Sequence, residues 1–180
     1  MKSFFYYAIA SLFCLSAVAQ EKPLPTIHYA RERTYDVLHY KLAIELDEVA
    51  KTCEGTVTIK LVPLHPVFDV LRLDAADMKI TQVKTNQKTM QFYQSGESLF
   101  VGMDKAYGLS DTLNVVVAYS VSSPKKGLYF IRPDSGYAEK QWQVWSNGEA
   151  EDNHFWFPCY DFPNDKATSE MTVTVNDKWT

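Results

Sequence analysis

Apolar and polar residues alternate along the first half of the chain. We place Tyr40, Leu42, Ile44 and Leu46 on one face of the segment 35–46, and Val37, His39, Lys41, Ala43 and Glu45 on the other. A period of two over this length is typical of a β-strand with one solvated face. Residues 54–62 repeat the pattern, and Gly55 is expected to mark the entry to this second strand. Two consecutive strands of this kind are expected to pair as a hairpin.

Eight further segments have the length and composition of strands. They span residues 67–73, 78–84, 90–93, 98–101, 113–121, 128–131, 141–145 and 170–175. Turn-forming residues separate these segments, and no window of 12 or more residues sustains a helical apolar stripe. The pattern therefore predicts an all-β fold with one domain, in which antiparallel strands form a sandwich or a saddle-like curved sheet.

Composition narrows the class of partner. The chain has 180 residues, of which 46% are hydrophobic, so it is long enough to bury a core. Its 18 Lys and Arg residues against 22 Asp and Glu give a formal net charge of -4. A nucleic-acid binder needs a basic face, so no nucleic-acid partner is expected.

Residues 1–19 have the pattern of a cleaved signal peptide. Lys2 precedes an apolar run, and the segment ends in Ala17-Val18-Ala19, the A-x-A form that signal peptidase accepts. We expect cleavage before Gln20, which leaves residues 20–180 as the domain. The apolar run is shorter than the roughly 20 residues of a membrane span, so no retained membrane anchor is expected. The mature protein is predicted to be periplasmic or secreted.

Cys53 and Cys159 remain in the mature chain. They are a single possible disulfide pair in an oxidising compartment, and two buried free thiols are the other interpretation. Two cysteines do not supply the four donors of a structural zinc site, and the four histidines have no paired metal-ligand spacing. No metal site is therefore expected in this chain.

Residues 141–163 have an unusual composition. This segment contains seven aromatic residues and four acids, Glu149, Glu151, Asp152 and Asp161, but no Lys or Arg. Carboxylates without a local cation attract a metal, an ammonium or a basic side chain. Glu149 follows Gly148 at the end of a predicted strand, which favours its exposure to a ligand in a cleft. The competing interpretation is a solvated acidic turn.

Other chemistry in this segment is weakly supported. There is no G-x-S-x-G or H-E-x-x-H motif and no plausible Cys and His pair, so no catalytic residue is expected. His154 lies beside aromatic residues and is interpreted as a packing residue with satisfied hydrogen bonds rather than as a base. Glu149 and Asp161 are a conceivable glycosidase couple only if one of them lies in an apolar pocket.

The sequence NGEAEDNHFWFPCYDFPNDKATSEMTVTV, residues 147–175, resembles the segment that closes the N-terminal β domain of aminopeptidase N-type zinc aminopeptidases, the gluzincins. In that family a Gln-x-Glu element precedes P-C-x-D-x-P and a further strand. The segments 35–46, 54–62 and 124–130 resemble the opening strands and the G-L-Y element of the same domain. The resemblance thus covers essentially the whole mature chain.

The resemblance implies roles for two residues. The Glu of Gln-x-Glu binds the α-ammonium of the peptide substrate in the family and corresponds to Glu149. The first position of the element helps to line the pocket for the N-terminal side chain and corresponds to Asn147, which departs from the family's Gln by one methylene. The implied zinc site, an H-E-x-x-H helix with a downstream Glu, belongs to a catalytic domain that this sequence does not contain. We therefore expect the N-terminal domain of a longer zinc aminopeptidase, without hydrolysis by this chain alone.

Two rival functions remain open. Exposed tryptophans beside acids occur in stand-alone β-sandwich modules that bind carbohydrate or protein, which requires Trp142, Trp145 and Trp156 to form an exposed platform. A purely structural domain that shields a cleft is the third possibility, and it requires Glu149 to lie in open solvent away from any concave surface.

Overall fold

A computed structural model describes residues 31–178. The signal peptide predicted at residues 1–19 lies outside these described residues. The eleven strands span, in chain order, β1 (Tyr35–Asp47), β2 (Thr52–Pro63), β3 (Phe68–Asp74), β4 (Met78–Thr85), β5 (Lys88–Thr89), β6 (Gln91–Ser95), β7 (Ser98–Tyr107), β8 (Leu113–Ser122), β9 (Leu128–Ile131), β10 (Gln143–Ser146) and β11 (Thr168–Thr174).

The strands form two main sheets and a ribbon. The larger sheet has six strands in the order β11-β1-β2-β8-β4-β5, the smaller has three in the order β3-β7-β6, and β9 pairs with β10 alone. Alternate residues of both main sheets enter one core, including Val57, Val117, Leu71 and Leu99. Burying each such side chain contributes about 1.5–3 kcal/mol. The all-β, sandwich-like, single-domain prediction is confirmed.

The predicted β1 and β2 hairpin is present, but its faces differ from the prediction at one end. Val37, which we placed on the solvated face, is 1% exposed. The register with β2 shifts between Val37 and His39, so Leu38 is an extra residue in β1. An extra residue shifts the alternation of side chains between the two faces by one position. Val37 therefore lies on the same buried face as Leu42.

Gly55 lies inside β2, three residues after the strand begins, rather than at its entry. Its φ is +152°, and a Cβ at this position would lie 2.1 Å from the carbonyl oxygen of Ala43 in β1. Only glycine allows the two backbones to approach so closely.

β11 departs from the expected antiparallel arrangement. It joins the edge of the larger sheet in parallel with β1, and Met171 and Val173 lie opposite Leu42 and Ile44. A parallel neighbour requires a long connection, and here the strands from β2 to β10 all lie between β1 and β11 in the sequence. All seven residues of β11 are exposed.

Helical structure within residues 31–178 is confined to one three-residue 3-10 turn, Asn153–Phe155. This part of the chain has no helix long and apolar enough to cross a membrane.

Candidate functional site

Glu149 lies in a loop, residues 147–156, that follows β10. We call it the acidic loop. The β9 and β10 ribbon fixes its start, because the backbone N–H of Asn147 donates to the carbonyl oxygen of Gly127 at 2.9 Å. Gly127 has a φ of +77°, and a Cβ there would lie 2.1 Å from the carbonyl oxygen of Asp152. The loop therefore packs directly on the backbone that precedes β9.

The two predicted substrate-binding residues are adjacent in space and exposed. The backbone N–H of Glu149 donates to Asn147 Oδ1 at 3.2 Å, which closes a short side-chain turn. Both side chains face solvent. Within residues 31–178 no Lys, Arg or His forms an ion pair with the Glu149 carboxylate. The peptide bond between Glu149 and Ala150 is cis.

Gly148 is in close contact with the far end of the loop. A Cβ on Gly148 would lie 2.3 to 2.6 Å from the side-chain amide atoms of Asn153. The backbone N–H of Asp152 donates to the carbonyl oxygen of Gly148 at 3.2 Å. The residue before Glu149 is thus held by the residues that begin the 3-10 turn.

His154 and Asp161 form a hydrogen-bonded pair that sequence reasoning missed. Asp161 Oδ2 lies 2.7 Å from His154 Nδ1 and also accepts from the His154 backbone N–H at 2.9 Å. His154 Nε2 lies 3.6 Å from Glu97 Oε2. The hydrogen bond to Asp161 raises the pKa of His154 above its ordinary value, although burial opposes this. The sequence carried one signal, a His seven residues before an Asp in an otherwise apolar segment.

Asp74, at the end of β3, connects this pair to the core. Its Oδ2 accepts from the backbone N–H of Asp161 at 2.9 Å and lies 2.5 Å from Arg31 Nη1. Its backbone also exchanges two hydrogen bonds with Cys159, at 2.7 and 3.0 Å. Asp161 is therefore a buried structural carboxylate, 8% exposed.

Two cavities flank the acidic loop. One, of about 430 Å³, lies against β1 and β11, and Ser146, Ala150 and Asn153 form part of its lining. The other, of about 390 Å³, lies on the side of β3, and its lining includes Arg31, Arg72, Asp74, Glu97, Glu151, His154 and Asp161. Glu149 is exposed and lines neither cavity, as the purely structural alternative requires, although the next residue, Ala150, lines the first cavity.

Several expectations about the segment 141–163 are corrected. The acids are partly neutralised, because Lys126 Nζ lies 3.2 Å from Asp152 Oδ1 and His154 bonds Asp161. The glycosidase couple requires Glu149 or Asp161 to lie in an apolar pocket, whereas Glu149 is exposed and Asp161 is hydrogen-bonded to His154. The interpretation of His154 as a packing residue with satisfied hydrogen bonds is confirmed, because its ring bonds Asp161 and packs against Phe155.

The tryptophans do not form the platform that a carbohydrate-binding module requires. Trp156 is 3% exposed and belongs to the core, whereas Trp142 and Trp145 are 43% and 46% exposed. Trp145 stacks on Tyr129 of the neighbouring strand at 4.3 Å between ring centroids. Within the described residues, a flat surface of all three indole rings is absent.

The cysteines and the side chains able to ligate a metal are the remaining candidates for chemistry. Cys53 and Cys159 are buried free thiols. Burial raises the pKa of Cys53 to about 11 and that of Cys159 well above its ordinary range. Within residues 31–178, no group of three or more His, Cys, Asp or Glu side chains is arranged to hold a metal ion. The described residues therefore do not fit a zinc site.

Solved structures share this fold. Yeast LTA4 hydrolase in complex with bestatin superposes with a TM-score of 0.69 at 21% identity, covering 87% of this chain and 26% of that chain. The M1 zinc metallopeptidase of Deinococcus radiodurans gives 0.66 at 22% identity, covering 79% of this chain and 33% of that chain.

Sequence comparison gives the family. Mouse aminopeptidase B is 26% identical over 172 residues, which cover 82% of this chain and 26% of that protein. Zebrafish (Danio rerio) transcription initiation factor TFIID subunit 2 is 35% identical over 66 residues, which cover 36% of this chain and 6% of that protein. The chain thus spans about a quarter or less of the length of these relatives. A family model described as the peptidase M1 N-terminal domain matches residues 36–180, so the chain belongs to this family.

Proposed function

We propose that this chain is the N-terminal substrate-recognition domain of an exported zinc-dependent aminopeptidase, in which Glu149 binds the α-ammonium of the peptide. The observation that carries the proposal is an exposed carboxylate, without an ion partner in residues 31–178, on a turn held by hydrogen bonds. The family match supports the enzyme class, since mouse aminopeptidase B is a relative over most of the chain.

The chemistry of the substrate fits this role. A peptide α-amino group has a pKa near 8 and is largely protonated at neutral pH. A carboxylate opposite it forms a charge-assisted hydrogen bond, and an internal peptide segment has no ammonium to offer. Recognition by Glu149 therefore selects peptide N-termini and makes the enzyme an exopeptidase. One related structure, also an M1 zinc metallopeptidase from D. radiodurans, carries a bound Tyr-Ser-Ala substrate.

Asn147 has a supporting role in the proposal. Its Oδ1 already accepts from the Glu149 backbone N–H, which leaves the amide NH₂ group to contact the first substrate residue. Bond cleavage belongs to a catalytic region beyond these residues, where zinc would polarise the scissile carbonyl. The part assigned to this chain is binding and orientation only.

The carbohydrate-binding alternative is not favoured. It depends on a tryptophan platform, and Trp156 lies in the core. Zebrafish and yeast TFIID subunit 2 match 36% and 83% of this chain, and no observation on residues 31–178 favours a second function on that account.

The test uses a polypeptide in which a catalytic region follows residue 180. Glu149→Ala is expected to lower kcat/KM on an unblocked peptide roughly 30-fold or more, a loss of about 2–5 kcal/mol of transition-state stabilisation, because the substrate ammonium loses a partner that the catalytic region would enclose. Glu151→Ala is the matched control, since Glu151 is also exposed in the acidic loop, and it should leave kcat/KM within about threefold. An unchanged kcat/KM in Glu149→Ala would reject the role of Glu149.

A further inference from the structure

The acidic loop is fastened at His154 by contacts with three parts of the fold. Its backbone N–H and ring both bond Asp161, its carbonyl oxygen accepts from the backbone N–H of Ala76 at 2.9 Å, and its Nε2 approaches Glu97. The ring is largely buried, with 12% of the side chain exposed. Ala76 lies in the connection between β3 and β4, and Asp161 lies in the segment that follows the loop. Among loop residues 147–156, only His154 is hydrogen-bonded to both of these parts.

A short path of direct contacts leads from His154 to Glu149. Asn153 precedes His154 in the 3-10 turn, and its side chain lies against Gly148, where a Cβ would be only 2.3 Å away. The N–H groups of Trp156 and Phe157 donate to the Asn153 carbonyl oxygen at 3.0 and 3.1 Å, which closes the turn around His154. These contacts connect His154 to Gly148 and to Glu149 beside it.

The charges around the ring favour the protonated imidazole. Asp161 faces Nδ1 and Glu97, from the β6 to β7 turn, faces Nε2. Asp74 at the end of β3 adds a further negative charge, which Arg31 partly offsets. Glu151 and Arg72 line the same cavity, and Lys126 lies over the neighbouring Phe155 ring at 5.5 Å. When the imidazole is neutral and its Nδ1–H donates to Asp161, Nε2 carries a lone pair instead of a proton. The attraction between the imidazolium and the Glu97 carboxylate is then lost.

We propose that His154 is the positioning residue of the acidic loop, and that its protonated imidazolium, held between Asp161 and Glu97, keeps Glu149 in its binding position. This inference rests on the proposed function, which makes the position of Glu149 a substrate-binding position. The loop then loosens as pH rises through the pKa of His154, which lies above its ordinary value. Recognition of peptide N-termini is thereby strongest at mildly acidic pH.

The test follows the ¹⁵N-labelled full chain by NMR from about pH 5 to about pH 9, a range that brackets the ordinary His pKa. The amide resonances of Gly148 and Glu149 are expected to titrate with the midpoint of the His154 ring. Glu97→Gln should lower both midpoints together, because one negative charge at Nε2 is removed. Glu97 is exposed, so this variant does not disturb the core. His39→Gln, which changes a half-buried histidine on β1, is the matched control and should leave both midpoints unchanged.

A second variant completes the test. In His154→Gln, the titration of the Gly148 and Glu149 amides in this range should disappear, and their hydrogen exchange should be about two- to tenfold faster, as expected for loss of one hydrogen bond. Amides that do not titrate, or that titrate at a midpoint unrelated to the ring, would overturn the inference. The readout contains no substrate, so it fails or succeeds independently of ammonium binding by Glu149.

Discussion

Gly127 and Gly148 show how single residues set the geometry of the acidic loop. Neither position has room for a Cβ, because Gly127 meets the backbone of Asp152 and Gly148 meets the side chain of Asn153. The sequence indicated a special role for Gly148 beside Glu149. Gly127 belongs to the G-L-Y element of the resemblance, but its neighbour Asp152 lies 25 positions away and is brought close only by folding.

At this scale we predict that Gly127→Ala destabilises the protein more than Gly96→Ala. Both glycines have positive φ, at +77° and +57°, so each substitution carries a left-handed backbone cost of about 1–2 kcal/mol. Only at Gly127 is there an added clash, worth about 1–3 kcal/mol, because the space around Gly96 is open. Urea unfolding of the two variants measures the difference. Equal losses would show that the loop moves away from Gly127 at no cost.

The strand elements were largely predictable, because a period of two in apolar residues reports directly which side of a sheet is buried. The exceptions have local causes. The bulge at Leu38 moved Val37 into the core, and β7 extends to Tyr107, well beyond the predicted 98–101, although several of its later residues are exposed. Pairing with β3 and β6 covers Ser98 to Gly102, and beyond Gly102 the register joins β7 to β3 only at Tyr107, opposite Phe68.

For β11 we predict a weak contribution to stability despite its regular pairing. Ile44 and Val173 lie opposite each other in the parallel pair, but they are 5% and 43% exposed. Ile44→Ala should lower the free energy of unfolding by about 2–5 kcal/mol, as a core truncation. Val173→Ala should lower it by less than about 1 kcal/mol, the range of a single cross-strand contact. Chemical denaturation compares the two, and similar losses would mean that β11 is covered in solution.

Considered as a whole molecule, the domain has one core that encloses both thiols. Cys53 in β2 and Cys159 after the acidic loop are 0% and 2% exposed. A buried thiol with a raised pKa has little reactive thiolate at neutral pH. Reactivity of both cysteines therefore reports global unfolding.

We predict that a thiol reagent labels Cys53 and Cys159 only in denaturant. Cysteines that react at the same rate in the native protein, or that fail to react when it is unfolded, would contradict the buried free thiols.

We also expect the mature protein to begin at Gln20. Mass spectrometry of protein recovered from the periplasm or medium identifies the N-terminal residue. A recovered protein that still contains residues 1–19 would contradict the predicted export.

The sequence by itself determined the all-β class, most strand positions and the family, because periodicity and the 147–175 motif are local properties of the chain. It also singled out Glu149 and Asn147, which lie together in an exposed turn, and their role in substrate binding stays a prediction. The tertiary structure alone decided the parallel pairing of β11, the burial of Trp156 and the attachment of His154 to Asp161 and Ala76. These features depend on which distant segments come together, and sheet order and loop packing are set by the combined burial of the core rather than by neighbours in sequence.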